Sequence, residues 1–445
     1  MPTAALPDEE TVEATQPQAL RRPGRPRLAL VLVSIAVTLV VLLVLVVVMN
    51  RSADPAEPSG SPGAAKATRP RAAVPPPMRD VVPPIPVVSA EEKGPILQQG
   101  RIVSRDNGQS TRYGDQSIWA FADTLLRQPW GVLSNSGAAT TDLRASDGIM
   151  LTAADLLGNA GRFPAEFMPR TAPELAFEKA HLKFIACAPG VQLFCNVSFG
   201  FWPGPVVSDP ARHRVLIFYD KLCRGGAAGA PCSEKFGREM GTGVAALDMN
   251  THRVTRLTPT NAPTVSSIEG VDPTMFFPPS TKYASAALVA GDDVYVYGDC
   301  ETRCHLARAP LAQLTDRSLW RFYAGRDRAG APIWSPDPSK AVNTVRAGAA
   351  GNTVFWDPAL NGWLNVYMPW GSHMLKAQIG GSPYGPWSDP FTLLRTDPGG
   401  DGVNSTTYAA YAHPEYAERG GLVEYMSYYQ NSTGDQRLVK VTFTP

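Results

Sequence analysis

Two acidic residues stand where a short chain reversal meets strand-forming side chains. Asp106 lies in Arg105-Asp106-Asn107-Gly108-Gln109-Ser110, and Asp123 follows Trp119-Ala120-Phe121-Ala122. A pair of carboxyl groups facing one sugar can break a glycosidic bond: one protonates the leaving oxygen, the other attacks the sugar or activates water. The plainer role for Asp106 is an Asx turn organising the Asp-Asn-Gly bend, and for Asp123 holding Thr124 and the amides of a turn. Glu269 and Asp272, in Ser267-Ile268-Glu269-Gly270-Val271-Asp272, sit in a connection able to reach the same place. His413, before Pro414-Glu415, is read as a ligand for an axial ion or a sugar hydroxyl, or else as a tie within a turn. Trp202, Tyr283, Trp356 and Tyr411 are suited to stacking on sugar rings, and Asn352 joins Glu269 among the expected substrate contacts. There is no P-loop, Gly-x-Gly-x-x-Gly, His-Glu-x-x-His or Gly-x-Ser-x-Gly pattern, so no organic cofactor is expected. An axial cation is the one ion left open.

Five runs of alternating aromatic and β-branched residues form the frame: Ile118–Leu126, Arg214–Leu222, Asp293–Cys300, Gly362–Trp370 and Gly421–Tyr429. Period-2 patterning with these residue types reads as strand. Three of the runs follow Ser208-Asp209-Pro210, Trp356-Asp357-Pro358 or Ala412-His413-Pro414. Proline cannot donate to a ladder, so each X-Pro marks a hairpin tip between two strands. The spacing leaves room for a four-stranded sheet per copy, which predicts an all-β, five-bladed propeller with its chemistry around the axis. Inner strands are expected at Arg105–Ser110, Ser198–Val207, Thr281–Val289, Asn352–Trp356 and Thr407–Ala412, with a return strand within Ser134–Thr141. Leu151–Lys183 breaks the pattern, and Thr171-Ala172-Pro173-Glu174 fits a capping box opening a short helical insertion, either a lid or a surface decoration.

The chain has 445 residues and a formal net charge of +1, which gives no basic field for nucleic acid. Leu28–Met49 is uncharged, and as a helix it spans roughly 33 Å. Arg21, Arg22, Arg25 and Arg27 precede it. The positive-inside rule then assigns 1–27 to a cytoplasmic tail, 28–49 to a single transmembrane helix, and the rest to the outside. The run is too long for the apolar core of a cleaved signal peptide. A Pro/Ala-rich linker over 50–96 leads to the propeller at 97–445, since such composition cannot bury a core. The six cysteines form three close sequence pairs: Cys187 with Cys195, Cys223 with Cys232, and Cys300 with Cys304. Such spacing suits local disulfides in an oxidising compartment.

Arg105-Asp106-Asn107-Gly108, Trp119–Thr124, Trp202–Val207, Cys304–Leu311, Gly385-Pro386-Trp387-Ser388 and His413-Pro414-Glu415-Tyr416 occur in this order. Together they resemble a bacterial propeller family catalogued as a domain of unknown function, numbered 4185. The resemblance implies a five-bladed propeller related to arabinanase-like glycoside hydrolases, some relatives being endo-D-arabinanases acting on cell-wall arabinan. It places Asp106 and Asp123 at the family's acidic positions and His413 at its blade-five histidine. The chain departs from the family at Ala122, where Gly is usual. It departs again at Lys282-Tyr283-Ala284, where an acidic residue and Trp-Gly commonly enter blade three. The expectation is a membrane-anchored extracellular glycoside hydrolase acting on a cell-wall polysaccharide. The rival is a non-catalytic propeller that tethers glycan or a protein partner to the cell surface.

Overall fold

The computed structural model describes residues 87–128, 130–151, 164–181, 196–225, 232, 237–400 and 405–444. The expected tail, membrane helix and most of the linker lie outside these residues. Among the described residues no helix is long and apolar enough to cross a membrane.

All five aromatic runs are second strands of antiparallel sheets, and each sheet is one blade. Blade one runs from Ile102–Tyr113 to Gln116–Leu126, whose far edge pairs with both Gly131–Leu133 and Ser136–Thr140. Blade two is Ser198–Asp209, Arg214–Arg224, Arg238–Asp248 and Val254–Arg256. Blade three is Ala286–Ala290, Asp293–Gly298, His305–Pro310, Arg321–Arg326 and Pro332–Ser335. Blade four is Asn352–Asp357, Gly362–Tyr367, Met374–Gly380 and Phe391–Arg395. Blade five takes Thr407–Ala412, Val423–Gln430 and Asp435–Phe443 from the C-terminus, then Val87–Pro95 from the other end of the head. Each innermost strand packs against the next, and blade five's packs back against blade one's, so the ring is closed.

Closure corrects the linker boundary. Val87–Pro95 is the outer strand of blade five, paired from Val87↔Phe443 to Pro95↔Arg437. Its mixed composition without an alternating apolar face hid it, because an edge strand buries little. It is held by ladder bonds and by Glu92, which accepts from Tyr428 Oη and pairs with Arg437. Blade three's inner strand starts at Ala286 rather than Thr281, since Lys282 (φ 30°) turns the chain and Ala284 N–H donates to Lys282 O at 3.0 Å.

The core lies in the seams between blades. Ile118, Phe199 and Ile217 fill the first seam; Phe218, Tyr283 and Phe322 the second; Tyr297, Val354 and Tyr367 the third. Leu364, Met426 and Val439 fill the fourth, and Trp119, Phe121 and Tyr425 close the fifth. Both faces of every blade are thus buried, which is why the runs read as aromatic and β-branched throughout.

Two of the three expected disulfides are formed, Cys223 to Cys232 and Cys300 to Cys304, each between cysteines close in sequence, as expected. The third expected bridge, between Cys187 and Cys195, falls on two cysteines that both lie outside the described residues, so the structure does not bear on it.

Helix Ala172–Ala180 starts on the expected capping box: Glu174 N–H donates to Thr171 Oγ1, and Thr171 N–H to Glu174 Oε2. It rests against the start of blade two's inner strand, where Phe199 N–H donates to Glu178 and Arg170 donates to Phe199 O. Underneath, Lys221 Nζ meets Glu174 at 2.7 Å, Asp272 at 2.5 Å and also Glu269, while Arg256 grips Glu174 through two bonds.

Candidate active site

Asp106 owes its position to a bulge. Ladder register slips on both sides of Asn107, and Asn107 (φ 62°) and Gly108 (φ 89°) take left-handed backbone. At φ 89° a side chain on residue 108 would be strained, and its Cβ would also press on the end of the Gln436 side chain, so glycine suits the position. Asn107 pins the bulge on two sides, donating to Pro203 O at 2.9 Å and accepting from Tyr411 Oη at 3.0 Å. Bulges re-aim side chains. Here Asp106 Oδ2 accepts from Tyr408 Oη of blade five at 3.0 Å, while Oδ1 is buried without a hydrogen-bond partner. Burial first, then the charge of Asp123, pushes the Asp106 carboxyl up to about 7, against the opposing pull of Tyr408 and Arg224.

Asp123 has the opposite surroundings. Arg224 Nη1 lies 2.8 Å from each of its oxygens, and Trp202 Nε1 donates to Oδ1 at 3.1 Å. The guanidinium also lies over the Trp202 ring, 5.4 Å from its centroid. The two expected aspartates are therefore neighbours with unlike chemistry: one desolvated and proton-holding, the other an ion-paired carboxylate.

Residues from the other blades continue the ring. Asp220, on blade two's second strand, is raised to about 7 by burial and by Glu239 and Glu301, with Lys282 opposing. Lys282 Nζ binds Glu239 at 2.6 Å. Burial works against the Lys282 charge, but Glu239, Glu301 and Asp220 outweigh it and raise its pKa. Glu301, in the Cys300–Cys304 loop, accepts from Trp370 Nε1 at 3.3 Å. Surrounding protein raises its pKa although the residue keeps an exposed side. Trp370 stacks on Tyr408 with centroids 5.5 Å apart, which leads back to Asp106. All five blades thus contribute to one circuit of carboxyls raised above their ordinary range, two cations and an aromatic platform.

Five expected contacts lie elsewhere. His413 is wholly buried: Nδ1 bonds Ser110 Oγ at 2.6 Å, Nε2 bonds Ser427 Oγ at 2.8 Å, and the ring stacks on Trp119. It ties blades five and one, and burial lowers its pKa to about 3. Tyr283 is core, packed on Phe277 with centroids 4.7 Å apart. Asn352 is fully buried and donates to Asn365 at 2.6 Å inside blade four. Glu269 is spent on Lys221 under the helix. Trp356 is 44% exposed, but beside the Asp357-Pro358 hairpin at the far end of blade four's inner strand. Trp202 does reach the circuit, and so does Lys282, noted in the sequence only as a departure from the family pattern. Asp220, Glu301 and Trp370 were passed over in the sequence; for Glu301 the only local signal was a carboxylate inside the tight Cys-x-x-x-Cys loop.

For a cation, Glu174, Glu269 and Asp272 bring carboxylate oxygens within 4.8 Å of one another. The Lys221 ammonium lies against all three and supplies the positive charge there.

Residues 232–443 match a family described as a domain of unknown function, DUF5005. No curated protein matches the chain. Among solved structures it is similar to the GH43_1 enzyme from Xanthomonas citri complexed with xylotriose, at 13% identity over 77% of this chain and 87% of that one, TM-score 0.41. It is also similar to the catalytic domain of the Coprinopsis cinerea GH62 α-L-arabinofuranosidase, at 9% identity over 80% and 98%, TM-score 0.39. A third is the α-L-arabinofuranosidase from Podospora anserina in complex with cellotriose, at 9% identity over 81% and 98%, TM-score 0.41.

Proposed function

We propose that the chain is a glycoside hydrolase acting on a cell-wall polysaccharide, arabinan being the first substrate to try. The observation that carries the reading is Asp106, a bulge-aimed carboxyl on blade one's inner strand that titrates near neutrality beside Asp123. A group poised near pH 7 is matched to general acid catalysis. Asp106 gives its proton to the glycosidic oxygen as the bond from the anomeric carbon breaks and its electron pair stays on that oxygen. Water adds to the anomeric carbon and passes a proton to the second carboxylate. Glu301, open to solvent and held by Trp370, is assigned that part. Asp123, fixed by Arg224 and Trp202, is a positioning residue whose charge adds to burial in raising the Asp106 carboxyl.

The test is digestion of a polysaccharide panel by the full-length chain and its Asp106→Asn variant. Loss of product from arabinan with Asp106→Asn supports the reading, and release equal to wild type overturns it. Lys282, a cation among Glu239, Asp220 and Glu301, favours the rival of a binding propeller. Retention of glycan without cleavage by wild type would establish that rival. The anchor belongs to the same proposal and rests on Leu28–Met49 and its preceding arginines. Fractionation should leave the chain in the membrane pellet, whereas a soluble mature form beginning after Met49 would overturn the anchor.

A further inference from the structure

A cavity of about 700 Å³ opens between blades three and four, within the range of pockets that hold small ligands. Glu301 is part of its wall, so it adjoins the axial circuit. Most of its polar lining is already committed to the protein. Arg303 pairs with Asp299 at 2.8 Å, Thr344 Oγ1 donates to Cys304 O at 2.8 Å, and Gln378 donates to Ser388 O at 3.0 Å. Three side chains differ: Asn343, Arg346 and Asp389 line the same cavity, are exposed, and make no side-chain hydrogen bond or ion pair with the described residues. They offer an amide, a cation and an anion, so donors and acceptors are both present and the charges of Arg346 and Asp389 cancel. Pro369, Pro390, Tyr367 and Trp387 supply apolar wall between them. The Cys300–Cys304 bridge and the buried Asn352–Asn365–Gln378 amide chain stiffen the two sides.

Such a lining suits neither an anion nor a cation. It suits vicinal hydroxyls, each both donor and acceptor, on a ring whose C–H face needs apolar contact. From this we infer that the cavity is a subsite for neutral sugar units beyond the bond held at the axis, with Arg346 and Asp389 as its specificity-determining residues. The inference rests on the hydrolytic reading for its direction: the glycan runs from Asp106 past Glu301 and out between blades three and four, so the chain selects oligomers over short glycosides.

The experiment is calorimetric titration of the full-length Asp106→Asn chain, in mild detergent, with arabino-oligosaccharides of increasing length and with an acidic oligogalacturonate. Affinity should rise with each added neutral unit. Arg346→Ala and Asp389→Ala should each weaken the longer ligands by about three- to tenfold, the scale of one lost hydrogen bond, and leave the shortest unchanged. Unchanged length dependence in both variants, or tighter binding of the acidic oligomer, would overturn the subsite. Wild type that cleaves none of the oligomers while length-dependent binding persists would remove the hydrolytic reading and leave the subsite standing. Cleavage by wild type with both variants binding as the parent does would remove the subsite alone.

Discussion

Replacing Tyr408 by Phe removes one hydroxyl and keeps the ring that stacks on Trp370 and leans on Tyr429. The lost group donates to Asp106 Oδ2 at 3.0 Å and is the largest influence holding the carboxyl down against burial and the charge of Asp123. A hydrogen bond to a charged group is worth about 1.5–3 kcal/mol, and one pH unit corresponds to about 1.36 kcal/mol. Tyr408→Phe should therefore carry the Asp106 titration from about 7 upward by about one to two pH units. Carbon-13 NMR of labelled aspartate, with the resonance assigned through Asp106→Asn, reads this directly and needs no substrate. In a pH–rate profile the alkaline limb should move the same way, because the protonated form is the working one. A wild-type Asp106 resonance that titrates near 4, or an unmoved midpoint in Tyr408→Phe, would refute the account of how the site tunes its acid.

Lys221→Met would leave Glu174, Glu269 and Asp272 buried with Arg256 as their remaining cation. Removing one partner from such a cluster costs about 3–5 kcal/mol, and urea denaturation showing a loss under about 1 kcal/mol would contradict that. Asp106 and Asp220 hold their protons to about 7 in the folded chain, against an ordinary 3.8. Between these values the unfolded chain has released protons that the folded chain keeps, so stability should fall as pH rises from about 4 to about 7 and level off above. Asp106→Asn and Asp220→Asn should each flatten that slope in denaturation curves taken across the window. A Cβ on Gly204 would overlap the Ala284 carbonyl oxygen, where blade two's inner strand meets the segment leading into blade three. Gly204→Ala should cost about 1–3 kcal/mol in thermal denaturation, and a neutral result would mean that the two part freely.

The fold was legible because a propeller repeats one local pattern. Each blade needs a second strand buried on both faces, so five aromatic runs were visible in the chain, and the Asp209-Pro210 and Asp357-Pro358 turns marked where strands reverse. The capping box at Thr171 was equally local. Val87–Pro95 was not legible, because its ladder partner Asp435–Phe443 lies at the other end of the chain and its own stretch carries no period-2 apolar pattern.

The sequence alone determined the strands, the turns and the two aspartates of blade one, all of which depend on neighbours a few residues away. Only the tertiary structure decided which polar residues share a site. Trp202 and Asp123, Lys282 and Glu239, and Glu301 and Trp370 are each 43 or more residues apart in the chain, and only the packing of one blade on the next brings them together. The same packing buried His413, Tyr283 and Asn352 in and between blades. It also gave adjacent carboxyls opposite chemistry: Asp106 lost its water, while Asp123 met Arg224 from the next blade. Desolvation and long-range charge are properties of the assembled ring, so no local pattern in the chain encodes them.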